Sequence, residues 1–199
     1  MPITNYIELK AAVATWLARD DLGAAIPDFV ALFEAAANRR LRVRQMEISA
    51  TLTPSDGAAA LPADYLMWRR LTWTGARRRE LDYVHPSYLQ AAFDAGAGTP
   101  RVFTIEGANL KIRPLDGTAL ELDYFQKLPA LSDGQTSNWL LAAHPDLYLF
   151  GALVEAEAFN KDADSAALWK LRRDESFDEI EKLGGKSRAG AIRVIGAIA

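Results

Sequence analysis

The feature that most constrains how this chain folds begins at Pro145. From Leu147 through Tyr148, Leu149, Phe150, Ala152, Leu153 and Val154 there is no polar face, and Glu155 and Glu157 follow. A helix with no wet side must be surrounded, in the centre of a bundle or in an interface. The run is far shorter than the roughly 20 apolar residues that cross a bilayer, so no membrane span is expected. The opening Met1-Pro2-Ile3-Thr4-Asn5-Tyr6 also lacks the basic start and apolar run of a secretion signal.

Cover for this helix is available at both ends of the chain. Asn5 with Glu8 forms a plausible capping box, after which Tyr6, Leu9, Val13, Trp16 and Leu17 recur at helical spacing as one buried stripe. Asp20, Asp21 and Gly23 should end that helix. Pro27 suits a first helical position, and Phe29, Leu32, Phe33, Ala36, Ala37 and Leu41 predict a second helix to about Glu47. Its acidic start, Asp28, and basic end, Arg39, Arg40, Arg42 and Arg44, match the helix dipole. The two helices should form an antiparallel hairpin. Near the other end, Asp164 or Ser165 opens a helix with Leu168, Leu171, Phe177, Ile180 and Leu183 inward, until Gly184-Gly185 stops it.

Between these ends the period changes to that of strands. Thr51-Leu52-Thr53, Pro54-Ser55-Asp56-Gly57 and Ala58 to Leu61 read as strand, turn, strand. Leu66 to Thr74 follows, and His85-Pro86-Ser87 opens a short helix through Tyr88, Leu89 and Phe93. Val102 to Ile105, Leu110 to Arg113 and Thr118 to Phe125 complete the β-rich stretch. In the last, Leu120, Leu122 and Tyr124 alternate with Ala119, Glu121 and Asp123, which predicts a sheet with one buried and one wet face.

The predicted fold is therefore α+β: an antiparallel helical bundle from both ends of the chain, a β-rich insertion, and an extended C-terminal tail. The divisions fall at 1–48 for the helical hairpin, 49–137 for the insertion with its short helix, 138–185 for the helices completing the bundle, and 186–199 for the tail. That tail holds Lys186, Arg188 and Arg193, no acid, and Ile192, Val194, Ile195 and Ile198 among glycines and alanines. Disordered termini are usually polar, so a basic, β-branched tail looks built to dock on another chain.

The search for chemistry returns little. No cysteine occurs, which excludes disulfides, thiolate metal sites and cysteine nucleophiles and fits a reducing cytoplasm. His85 and His144 each precede a proline and read as capping residues, with no second histidine at metal-ligand spacing. The pairs Glu155/Glu157 and Glu179/Glu181 lie two apart on helices, where side chains do not face one another. Nucleotide-binding and nucleophile-elbow glycine patterns are missing. No catalytic, cofactor or metal residue is assigned.

Charge is unevenly spread: -3 over residues 1–38, +6 over 39–79 and -6 over 80–199, for a net of -3. The basic clusters, Arg39/Arg40/Arg42/Arg44 and Arg77-Arg78-Arg79 in a hairpin turn, suit either phosphates or the acidic flanks of neighbouring copies. With a pI near 5.5, intersubunit or partner contact is the better use of Arg39, Arg40, Arg42 and Arg44. Trp169, on a largely polar helix, reads as an interface anchor.

Several ordered motifs resemble those of the head-to-tail adaptor family of tailed bacteriophages. They are Ile3-Thr4-Asn5-Tyr6-x-x-Leu9-Lys10, Trp16-Leu17-x-Arg19-Asp20-Asp21-Leu22, Ile26-Pro27-x-Phe29, Asn38-Arg39-x-Leu41-Arg42 and Leu61-Pro62-x-Asp64-Tyr65. The most telling is Asn138-Trp139-Leu140-Leu141-x-x-His144-Pro145-Asp146-Leu147-Tyr148-Leu149-x-Gly151, continuing to Glu155-Ala156. The resemblance runs from about Ile3 to Trp169. It implies a dodecameric ring in the virion neck, made in the bacterial host cytoplasm and placed between the portal protein and a tail or nozzle protein. Double-stranded DNA would pass through its lumen without specific binding. It further implies that the C-terminal extension embraces the portal, and that the family needs neither catalytic residues nor cofactors. The rival expectations are another neck or tail-completion protein, or a DNA-binding or DNA-processing protein using the arginine clusters.

Overall fold

The computed structural model describes residues 3–19, 21–92 and 96–188. They form an α+β protein with six α-helices and two four-stranded sheets. The helices are α1 (Tyr6–Leu17), α2 (Ile26–Arg40), α3 (Pro86–Ala92), α4 (Trp139–Ala143), α5 (Pro145–Asn160) and α6 (Ala163–Arg188). The strands are β1 (Glu47–Leu52), β2 (Ala58–Ala60), β3 (Tyr65–Trp73), β4 (Arg79–Glu80), β5 (Asp82–Tyr83), β6 (Val102–Glu106), β7 (Asn109–Arg113) and β8 (Leu120–Gln126). The chain divides into a helical unit, up to Gln45 and from Leu128 onward, and a sheet unit, Met46–Lys127.

In the helical unit α5 packs against α1, α2, α4 and α6. Leu147, Tyr148, Leu149, Ala152, Leu153 and Ala156 are buried along it, as a helix without a wet face requires. Gly151 allows the closest approach: a Cβ there would lie 2.0 Å from Cδ2 of Phe33 on α2. Phe33 in turn packs edge-on against Tyr148, with centroids 4.9 Å apart, and against Phe177 of α6 at 6.1 Å.

Five details differ from the sequence reading. Leu168, Leu171 and Leu183, expected inward on the last helix, are 50%, 58% and 62% exposed, and only Phe177 and Ile180 of that stripe are buried. On α1, Tyr6, Leu9 and Val13 are buried, but Trp16 is 51% exposed. The helix ends one residue later, with Ala18 left-handed at φ 50°, and the indole lies at the rim. The second helix stops at Arg40 rather than near Glu47, because Leu41 turns extended. Leu41 and Val43 are then buried with Arg42 part-exposed between them, and a single 3-10 turn, Arg44–Met46, follows with Met46 buried. Gly184-Gly185 does not stop the last helix, which continues to Arg188. Gly184 serves close packing instead, since a Cβ there would sit 3.3 Å from Val43 Cγ1. Finally, the loop after β8 joins the helical unit at Leu128, ahead of the expected boundary at 138. The Leu128 N–H donates to Asn38 Oδ1 at 2.7 Å and the Leu131 N–H to Glu34 Oε1 at 2.9 Å.

In the sheet unit, one sheet has the order β1-β8-β3-β4 and the other β2-β7-β6-β5. All pairings are antiparallel except β5 with β6. The predicted strand-turn-strand at residues 51–61 is present, yet its strands part to different sheets. The turn between them carries left-handed Asp56 and Gly57, and a Cβ on Gly57 would lie 2.2 Å from Leu115 Cδ2. Leu120, Leu122 and Tyr124 face a core shared with Leu52, Leu71, Phe103, Leu110 and Ile112. That is the alternation read from β8.

Candidate assembly surfaces

The arginines expected to act together are separated by the early end of α2. Arg40 is held within its own chain. Its guanidinium reaches Asp174 at 3.2 Å, Glu181 at 3.0 Å and also Asp178, all on α6, and lies 4.7 Å above the Phe177 ring. Arg42 turns back to donate to the carbonyls of Asn38 and Leu41. Arg39 and Arg44 are exposed and form no ion pair among the described residues. Arg44 borders a groove of about 390 Å³ with His144, Ile180 and Leu183. What sequence spacing presented as one basic cluster is one internal clamp, one backbone-bonded side chain and two free-standing cations.

Trp169 belongs to an aromatic cluster in the helical unit. It stacks on Phe150 at 5.9 Å and meets Trp16 edge-on at 5.4 Å. It is half-buried, so its ring is partly spent within the chain while Trp16 carries the exposed area. Leu168 and Leu171 of α6 are exposed by 50% and 58%. Of the tail residues, Lys186 and Arg188 fall on the last turn of α6 rather than in an extended segment. Ile192, Arg193, Val194, Ile195 and Ile198 lie outside the described residues.

Two polar arrangements escaped the sequence reading. One is internal. Glu34, 5% exposed, accepts from the Leu131 N–H and from the Tyr148 hydroxyl, both at 2.9 Å. Asn138 donates to the Tyr148 oxygen at 2.6 Å and to the Pro129 carbonyl at 2.8 Å, and its Oδ1 caps α4 through the Leu141 N–H. Burial raises the Glu34 carboxyl above the usual carboxylate range, against the opposing pull of those two donors. Burial, with Glu34 beside it, keeps the Tyr148 hydroxyl protonated as the donor. The only sequence signal was an acid on an otherwise apolar helical stripe beside Phe33 and Ala37.

The other is the wet face of the β1-β8-β3-β4 sheet, where ion pairs cross the strands: Arg69 with Glu47, Arg70 with Asp123 at 2.7 Å, and Arg78 with Glu121. Partial burial would raise the Asp123 carboxyl, but bonds from Ser49 and Arg70 hold it below its usual range. Each exposed pair contributes about 0–1 kcal/mol; together they set a surface of mixed charge. At the β3–β4 turn, Gly75 lets the chain fold onto the Trp73 indole, where a Cβ would lie 2.0 Å from Cζ2. Trp73, Ala76, Arg77, Arg78, Arg79 and Thr99 line a groove of about 460 Å³ beside it.

Among the described residues no group of three or more His, Cys, Asp or Glu could hold a metal ion, and no helix is long and apolar enough to cross a membrane. His85 bonds through Nδ1 to the Ser87 hydroxyl at 2.8 Å, whereas the His144 side chain makes no cap bond. The fold is α+β, and its conspicuous exposed features are apolar side chains and charged groups. The family model of the SU10 adaptor protein matches residues 4–195, and the chain belongs to that family. It is thus a phage adaptor protein, a structural component of the virion that interacts with other phage structural proteins. No curated protein matches it.

Proposed function

We propose that this chain is the head-to-tail adaptor of a tailed phage, without catalytic activity or cofactor. Twelve copies would form a ring beneath the portal protein, extend the DNA channel and present a platform to a tail or nozzle protein in the virion neck. In this reading the helices from both chain ends form an antiparallel bundle that carries the β-rich part as an insertion. The residues after Arg188 would reach the portal, with Ile192, Val194, Ile195 and Ile198 supplying apolar contact and Arg193 charge.

One observation carries the reading: the most distinctive motif block is spent on architecture. Asn138 caps α4, Tyr148 bonds to Glu34, and Gly151 admits the Phe33 ring. These are the residues of a scaffold held to a fixed shape, as a ring subunit requires. The rival reading, a DNA-binding protein using the arginine clusters, loses Arg40, which is committed to three acids of its own chain.

The test is reconstitution. Purified chain should be largely monomeric by light scattering and should assemble into a ring on addition of portal rings, visible by electron microscopy. A stable dimer that portal leaves unchanged sinks the proposal.

A further inference from the structure

Two exposed faces of this chain carry charge of opposite sign beside apolar side chains. On α6, residues Asp174 to Glu181 include Asp174, Glu175, Asp178, Glu179 and Glu181 and no base. Arg40 engages Asp174, Asp178 and Glu181 with one positive charge, and Arg173 adds a second at Asp174. Glu175 and Glu179 point away on the outer face, where Glu175 has only a 3.6 Å contact to Arg172. Spacing of 3, 4 and 4 puts Leu168, Leu171, Glu175 and Glu179 on one stripe, and the two leucines are at least half exposed. The stripe therefore offers apolar anchors followed by carboxylates.

The hairpin turn between β3 and β4 offers the reverse. Its groove is floored by the Trp73 ring, held by a bond from its Nε1–H to Asp116 at 3.2 Å. Arg77, Arg78 and Arg79 form its rim, all exposed. Only Arg78 has an ion-pair partner among the described residues, Glu121. Arg77 and Arg79 leave a local positive excess beside an apolar floor. Arginine beside an indole is well suited to hold a carboxylate next to an aliphatic side chain.

We propose that the outer α6 stripe of one copy docks on the Arg77–Arg79 hairpin of the next copy, Leu171 toward the Trp73 floor and Glu175 and Glu179 toward the arginines. The contact rests on the ring reading above and deepens it. It joins two different surfaces, so it is heterologous, and repetition of such a contact closes a ring when the rotation permits. The occupant is a second copy because the α6 stripe supplies exposed leucines for the groove together with carboxylates for its arginines.

The absence of cysteine makes the test direct. Ala76→Cys and Leu171→Cys are made in separate chains, mixed in the millimolar range under oxidising conditions, and the products resolved by mass. Disulfides demand Cα atoms within about 7 Å. The expected result is that the mixed A76C–L171C dimer dominates both same-residue dimers. Adding Arg77→Glu and Arg79→Glu should abolish that preference, and Glu175→Arg with Glu179→Arg in the partner should restore it. A purely statistical mixture, with the mixed dimer only about twice as abundant as each same-residue dimer, overturns the contact. So does a preference that survives the charge reversal, or a reversal that instead lowers affinity for a DNA duplex. Rings that form normally on portal with R77E/R79E also overturn it while leaving the ring reading intact. If wild-type chain forms no ring on portal, the ring reading fails and the disulfide pattern still decides the contact.

Discussion

Glu34 is a buried acid held by Leu131 and Tyr148, with no cation bonded to it among the described residues. Because burial raises its carboxyl in the folded state, folding favours the protonated form. The stability it contributes is present below the ordinary carboxylate range and is lost as pH rises through the folded-state value. Glu34→Gln keeps an acceptor oxygen and removes the charge. It should melt at least as high as wild type near neutral pH, with the difference vanishing on acidification, as thermal unfolding across pH would show. A wild type that gains stability over E34Q toward neutral pH would contradict this. Glu34→Ala strands both donors and should cost about 2–4 kcal/mol. Gly151 makes a second prediction of this kind. Gly151→Ala drives a methyl into the Phe33 ring and should destabilise by about 1–3 kcal/mol despite the better helix propensity of alanine, measured by urea unfolding. A G151A chain as stable as wild type would mean α2 and α5 can separate freely.

At the scale of elements, Arg40 joins the end of α2 to the middle of α6. The guanidinium lies over Phe177 and reaches acids one helical turn apart, so its removal leaves Asp174, Asp178 and Glu181 facing one another. Arg40→Ala should cost about 1 kcal/mol at low ionic strength, the loss shrinking as salt is added. Denaturant titrations at two salt concentrations check this, and a salt-independent loss would point to packing on Phe177 instead. Which elements were legible follows from how local their cause is. The α5 helix could be read because its lack of a wet face admits one environment. The β8 strand could be read because alternation of Leu120, Leu122 and Tyr124 with charges is a property of the strand itself. The end of α2 was missed because the basic run Arg39 to Arg44 matches a helix dipole, while the extended Leu41 and the 3-10 turn Arg44–Met46 are too short to leave a period of their own. The helix through Gly184-Gly185 was missed because the gain from seating Gly184 on Val43 is a tertiary contact invisible to propensity. Arg40 left the arginine cluster for the same reason: its members are neighbours in sequence, while the α6 acids that hold Arg40 are more than 130 residues away.

For the whole molecule, the matched family spans residues 4–195 and so includes most of the segment beyond α6. A chain ending at Arg188 should keep its melting temperature yet lose stable attachment to portal, measured by co-sedimentation. Normal attachment, or failure to fold, would refute the assignment of that segment. The division of the chain has a further consequence. The sheet unit is one continuous stretch, Met46–Lys127, whereas the helical unit is split around it. During synthesis the sheets can therefore close as soon as β8 has left the ribosome. At that moment Phe29 and Phe33 of α2 have no α5 to cover them, and they stay uncovered while more than one further helix is made. The helical unit has the high sequence separation between partners that slows folding, and its half-made form displays the aromatic surface on which nascent chains aggregate. As the ring subunit proposed above, the chain would then be limited in the cell by chaperone capture during translation, and slower translation after Lys127 would lower its yield even though the finished protein is unchanged.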